Sequence, residues 1–253
     1  MEFTEAARNQ PLVISLPMPD GRMENFEVAK SPMMEQGLAD KFPEIKTYIV
    51  QGVDDPTASG RLDVNARYFN AFIISSKNSL LINPANEVYL SFYKKDQITP
   101  KTITHECGFD HQPNLDNTAN ARTSFSVGEE LRTYRFAVNA TGEYSLFHTN
   151  TQDVGEVIAA ITTSVNRINT VFERDIAVRL ILVANNDQVV YLNTQTDPFS
   201  NNDAGAMLGQ SQQNLNTVIG FDNYDIGHVF ATGGAGLAPV SYTHLTLPTT
   251  PYV

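Results

Sequence analysis

The chain has 253 residues, 42% hydrophobic and 18% charged, which is enough for one large or two ordinary domains and excludes a disordered tail. No apolar run approaches the roughly 18 to 20 residues that span a bilayer, and Met1 to Gln10 lacks the basic and apolar segments of a signal peptide, so neither a membrane span nor an export signal is visible. The net charge of -11 repels phosphate backbones and argues against nucleic-acid binding, and the single cysteine, Cys107, excludes an internal disulfide framework or a Cys-rich zinc module.

The first part reads as short strands parted by turn residues. Leu12 to Leu16, Phe26 to Val28, Thr47 to Val50, Phe69 to Ser75, Leu80 to Ile82 and Val88 to Tyr93 are β-branched, aromatic or alternating. One short helix is expected near Met34 to Lys41, ended by Phe42-Pro43, because the residue before proline avoids the helical region. All seven lysines fall at or before Lys101; eleven basic residues face thirteen acidic ones up to that point, and six face fifteen beyond it. That shift, with the polar, turn-prone Gln112 to Asn120, sets the expected organisation: a β-rich domain over 1–101, a linker over 102–131 and a second domain over 132–238.

The second part has a helical rhythm. Tyr134 to Ala140 reads as a buried strand, and Val154, Val157, Ile158, Ile161, Val165, Ile168 and Phe172 then place one apolar stripe on a helix of about five turns. Ile176 to Ala184 reads as a central strand, Val189 to Leu192 as another, Ala204 to Leu215 as a second helix, and Tyr224 to Phe230 as a return to the sheet. A right-handed crossover makes the first strand and the one after the helix parallel neighbours. The fold class is therefore α+β overall: a mainly β domain followed by an α/β one.

The chemistry-bearing motifs are incomplete. His105-Glu106 invites a zinc reading, but a partner one turn on would stand at position 109, which is Phe109; His111 lies on another face, and Gly108 and Pro113 discourage a helix. His148, His228 and His244 are isolated. Gly233-Gly234-Ala235-Gly236 lacks the lysine and hydroxyl of a phosphate loop. Asn201-Asn202-Asp203 lacks the spacing of a calcium loop, and Asn139-Ala140-Thr141 is a glycosylation triplet expected to lie in a strand.

Resemblance reaches further. Tyr134-Arg135-Phe136-Ala137-Val138, Thr141-Gly142-Glu143-Tyr144, Val165-Asn166-Arg167-Ile168-Asn169, Phe172-Glu173-Arg174-Asp175, Leu182-Val183-Ala184-Asn185, Thr196-Asp197-Pro198 and Asn223 to Phe230 resemble the front of a reprolysin-like zinc metallopeptidase catalytic domain, of the metzincin group. Pro19-Asp20-Gly21, Phe26-Glu27-Val28, Ser31-Pro32-Met33 and Phe42 to Tyr48 are similar to the propeptide of bacterial members. The resemblance implies a secreted endopeptidase precursor acting on protein or peptide substrates, with peptide-bond hydrolysis by zinc-activated water. The family's His-Glu-x-x-His-x-x-Gly-x-x-His helix is not in the chain, so no catalytic residue is assigned and the chain as written is expected to be inactive. From Pro239 the sequence departs from the family, and 239–253 resembles translated sequencing-adapter read-through; a genuine Thr/Pro-rich terminus is the competing reading.

The resemblance also implies a calcium site, for which Glu143 and Asp225 are the nearest matches by order, against a surface or capping role for both. Cys107 stands near the junction, where such propeptides carry a latency thiol, against a buried structural thiol. The alternative function is a non-catalytic extracellular binding or adhesion module; a cytoplasmic α/β binding domain ranks last, without a convergent polar motif. A domain cut short of its active-site helix leaves apolar surface uncovered, so aggregation is expected.

Overall fold

A computed structural model describes residues 12–98, 130–149 and 151–233. The first part is a seven-stranded antiparallel meander, β1 (Leu12–Pro17), β2 (Met23–Lys30), β3 (Lys46–Gly52), β4 (Ser59–Val64), β5 (Phe69–Ile74), β6 (Ser79–Ala85) and β7 (Val88–Tyr93), in which each strand pairs with its neighbours in sequence. The sheet curls until β7 approaches β1, where the Ser91 hydroxyl donates to Pro17 O at 2.6 Å. Alternation sends Phe26, Val28, Val50, Leu62, Ala71, Ile73, Leu80 and Ile82 into one core inside the curl. The six expected strands are present, and β4 is added to them.

The connection from β2 to β3 leaves the meander. It carries helix α1 (Gln36–Lys41), whose last turn closes before Pro43 as the sequence predicts, although Met34 and Glu35 lie outside the helix. Met33, Met34, Leu38 and Ile45 are buried in the same cluster as Phe136, Val138, Val157, Ile158, Ile161, Val165, Leu180 and Leu182 of the second part.

That second part is built on β8 (Arg132–Ala140), α2 (Gly142–His148), α3 (Val154–Ile176), β9 (Val178–Leu182), α4 (Ala204–Val218) and β10 (Ile226–Phe230). The sheet order is β10-β8-β9, with both pairs parallel, as expected for a strand–helix–strand crossover. Helix α3 starts where the Asp153 carboxylate accepts from Gly155 N–H at 2.8 Å and ends where Ala177 turns left-handed at φ 53. Its buried stripe follows the predicted period, but it packs against β4 and β5 of the meander as well as β9, and so lies between the two sheets.

Two asparagines stand in for missing strand partners. Asn169 of α3 bonds both main-chain groups of Leu180, and Asn186 bonds both groups of Val138. The second contact corrects the strand expected at Val189 to Leu192. That stretch holds a 3-10 turn over Asn186–Val189 and a single bridge from Val190 to Ala140, because the Asn186 amide already occupies the position beside β8 that a neighbouring strand would fill.

Candidate functional site

The side chains that sequence reasoning missed form a buried polar junction between the two parts. Alternation along β4 points Arg61 and Asp63 away from the meander core, toward α3, where Thr163, Asn166 and Glu173 stand on one face at spacings of three and seven. Arg61 donates from Nη1 to both Glu173 oxygens at 2.9 and 3.1 Å, from Nε to Asn166 Oδ1 at 2.6 Å, and from Nη2 to Ser31 O and Oγ at 2.9 and 2.8 Å. Arg179 donates to the same Glu173 carboxylate at 2.6 Å. Asp63 accepts from Thr163 at 2.7 Å, Asn70 at 3.0 Å and Asn166 at 3.2 Å. Burial pulls the Arg61 guanidinium down to about 10 although Glu173 opposes the shift, and burial pushes the Asp63 carboxyl up despite its three donors. The signal in the sequence is a pair of complementary stripes: polar residues two apart in a strand, and polar residues at helical spacing in an otherwise apolar helix.

Beside the junction, toward the amino-terminal half of α3, a cleft of about 640 Å³ opens between the β4–β5 and β6–β7 ends of the meander and the helix. Arg67 pairs with Glu156 across it, and Arg167 donates to Asn83 Oδ1 at 2.7 Å. Its volume falls in the range of ligand pockets, and two polar atoms of its lining, Glu156 Oε2 and Arg167 Nε, are buried without a hydrogen-bond partner.

A row of rings runs across the face of the small sheet: Phe136, His228, Phe230, Tyr144, His148 and Phe147, with successive centroids 6.2, 5.1, 5.2, 4.4 and 5.0 Å apart. Packing against neighbouring rings partly desolvates both imidazoles, although each residue stays exposed, and lowers them from their ordinary value; burial pushes the Tyr144 hydroxyl up to about 12. These histidines pack as rings.

The structure does not bring the two expected calcium ligands together. Glu143 sits in the first turn of α2, beyond the carboxyl end of β8, where an acidic side chain suits the positive end of the helix. Asp225 lies level with Arg135 near the other end of that strand, roughly 17 Å of strand away. Its oxygens are engaged by Arg135, with 2.7 Å contacts from Nη2 and from the main-chain N–H, and this lowers its pKa. Glu143 Oε2 is buried without a hydrogen-bond partner, and the capping contact at the start of α2 comes from Thr141. Asn201 bonds Thr141 and Thr232, and Asp203 caps α4. Asn139 is fully buried in β8 with its amide donated to Ser211, so the glycosylation triplet is inaccessible in the fold. Cys107, the His105 motif, Gly234 to Gly236 and His244 lie outside the described residues.

Among the described residues no group of three or more His, Cys, Asp or Glu is placed to hold a metal ion, so they do not fit a zinc centre. No helix among them is long and apolar enough to cross a membrane. Residues 130–243, under half of the chain, match the family model described as Metallo-peptidase family M12B Reprolysin-like. The match starts just before β8 and runs to Thr243, so it includes five residues, 239–243, of the stretch expected to depart from the family. Comparison with the curated proteins and with the solved structures finds no match.

Proposed function

We propose that residues 130–238 are the front of the catalytic domain of a secreted zinc-dependent endopeptidase precursor, preceded by a β-rich propeptide. The observation that carries this reading is the family match, which falls on the α/β half and begins where its first strand begins. Such a peptidase acts on protein or peptide substrates. The described residues supply scaffold only. α3 and the parallel sheet hold one wall of the domain, and the zinc-binding His-Glu-x-x-His-x-x-Gly-x-x-His segment belongs to the part of the domain that continues past Ala238 in the native gene. No step of hydrolysis is assigned to any described residue. The tail over 239–253 is taken as foreign to that gene.

Reading the codons past Ala238 in the source gene, and assaying the extended protein on a denatured protein substrate with and without a chelator, tests this. The expected result is the His-Glu-x-x-His motif in frame and chelator-sensitive cleavage. A native stop at Val253 overturns it. The lack of any metal-holding group among the described residues favours, in that event, a non-catalytic extracellular binding or adhesion module. Cys107 is carried as a candidate latency thiol: alkylation that raises the activity of the extended protein supports it, and unchanged latency in Cys107→Ala overturns it.

A further inference from the structure

The β2–β3 connection forms an isolated parallel bridge on the outer edge of the small sheet. Leu182 N–H donates to Met33 O at 2.8 Å, Glu35 N–H donates to Leu182 O at 2.8 Å, and Met34 and Leu182 form a parallel bridge. Ala184 N–H completes the edge by donating to the Glu35 carboxylate at 2.8 Å. With Asn169 on Leu180, these contacts satisfy the outward main-chain groups of Leu180 and Leu182 and the Ala184 N–H that follows.

The dependence between the parts runs one way. The meander encloses a core made only of its own residues, whereas the core under α3 is shared, and Met33 and Leu38, at 1% and 0% exposure, belong to the first part. Separation would open that cluster, strip β9 of its outer partners and leave Arg61, Glu173 and Asp63 to be rehydrated. Contacts between the parts run along α3 from Glu156, through Thr163 and Asn166, to Glu173, and Lys41 pairs with Asp187 at the rim at 2.7 Å.

We propose that the first part is a standing subunit of the second: it supplies a main-chain bridge on the β9 edge and one wall of the core, and it stays bound when the chain between the two is cut. The docking surface is the β9 edge with the polar face of α3, and its partner is residues 12–98 of the same chain. If the peptidase reading holds, scission of the connection does not by itself free the α/β half; the docking itself does not depend on that reading.

The test uses the full chain with a site-specific protease sequence inserted between Asp116 and Asn117, cut in native buffer and followed by sedimentation velocity over a dilution series. Both pieces are expected to travel as one species at micromolar concentration and below. Pieces that separate at micromolar concentration overturn the proposal. Arg61→Met is expected to weaken the association about a hundredfold or more, because it leaves a buried carboxylate short of its partner. Glu35→Ala, at a partly buried position that leaves the cores intact, is expected to weaken it roughly tenfold. Lys77→Met, whose ammonium faces Asp55 within the first part, is expected to change nothing. Variants at Arg61 and Glu35 that bind as tightly as the parent also overturn it. The readout is association rather than cleavage, so its outcome is separate from that of the activity assay.

Discussion

Arg61 and Glu173 have side-chain exposures of 0% and 2%, so each charge depends on the other and on fixed hydrogen bonds rather than on water. Removing one partner is therefore costlier than the pair is worth. Arg61→Met should destabilise the chain by about 3 to 5 kcal/mol in urea unfolding. Arg61→Met with Glu173→Met should recover part of that loss, since Arg179, at 23% exposure, can turn to water. Asp63 and Asp225 respond to pH in opposite senses. Burial raises the Asp63 pKa, so the folded state holds that proton more tightly than the unfolded one; its contribution is full below the ordinary 3.8 and fades as pH rises through the raised value. Arg135 lowers the Asp225 pKa, so that contribution is present above 3.8 and fades as pH falls through the lowered value. Urea midpoints from pH 3 to pH 7 should show the parent losing ground to Asp63→Asn as pH rises, and losing its advantage over Asp225→Asn as pH falls. Opposite slopes would contradict both assignments.

Long periodic elements were legible because their partners need not be known to see them. The stripe from Val154 to Phe172 demands a helix whatever covers it, and α3 has those bounds to within a turn. Strand β4, Ser-Gly-Arg-Leu-Asp-Val, reads as a loop because a buried face is expected to be apolar, and the groups that satisfy Arg61 and Asp63 lie about a hundred residues away. The run Val189 to Leu192 misled in the opposite direction: its β-branched residues promise a strand, and one asparagine side chain takes the strand's place. Gly60 is part of the β4 device. A Cβ there would stand 2.2 Å from Phe72 O, so Gly60→Ala should cost about 3 kcal/mol and lower the melting midpoint by roughly 6 to 12 °C in a calorimetric scan. At the end of α3, Ala177 holds a left-handed conformation that glycine adopts freely; Ala177→Gly should raise stability by about 1 kcal/mol in the same measurement.

At the scale of the whole molecule, the two halves were legible as compositions but their union was not. A boundary drawn from charge and turn residues assigns Met33 to Leu38 to the first domain, whereas those side chains pack in the core of the second. The separation of Glu143 and Asp225 has a related reason: order along the chain matches them to a family pattern, but a parallel sheet puts a residue after one strand and a residue before another at opposite ends. The two edges of that sheet differ. The β9 edge is covered, whereas β10 is an edge strand among the described residues, with Ile226 at 40% exposure, a form that invites pairing with another chain. Light scattering should show particle size growing with concentration in the parent and held back in Ile226→Lys, where a charge blunts the edge. The meander also carries a consequence for the order of synthesis. Every one of its strands pairs with a sequence neighbour, so it can form within a short stretch of newly made chain. At ribosomal speed, on the order of 10 s passes between the emergence of Tyr93 and that of Leu182. β9 therefore emerges long after the 33–35 segment that it bridges, onto a meander whose own strand pairing needs nothing from the second part.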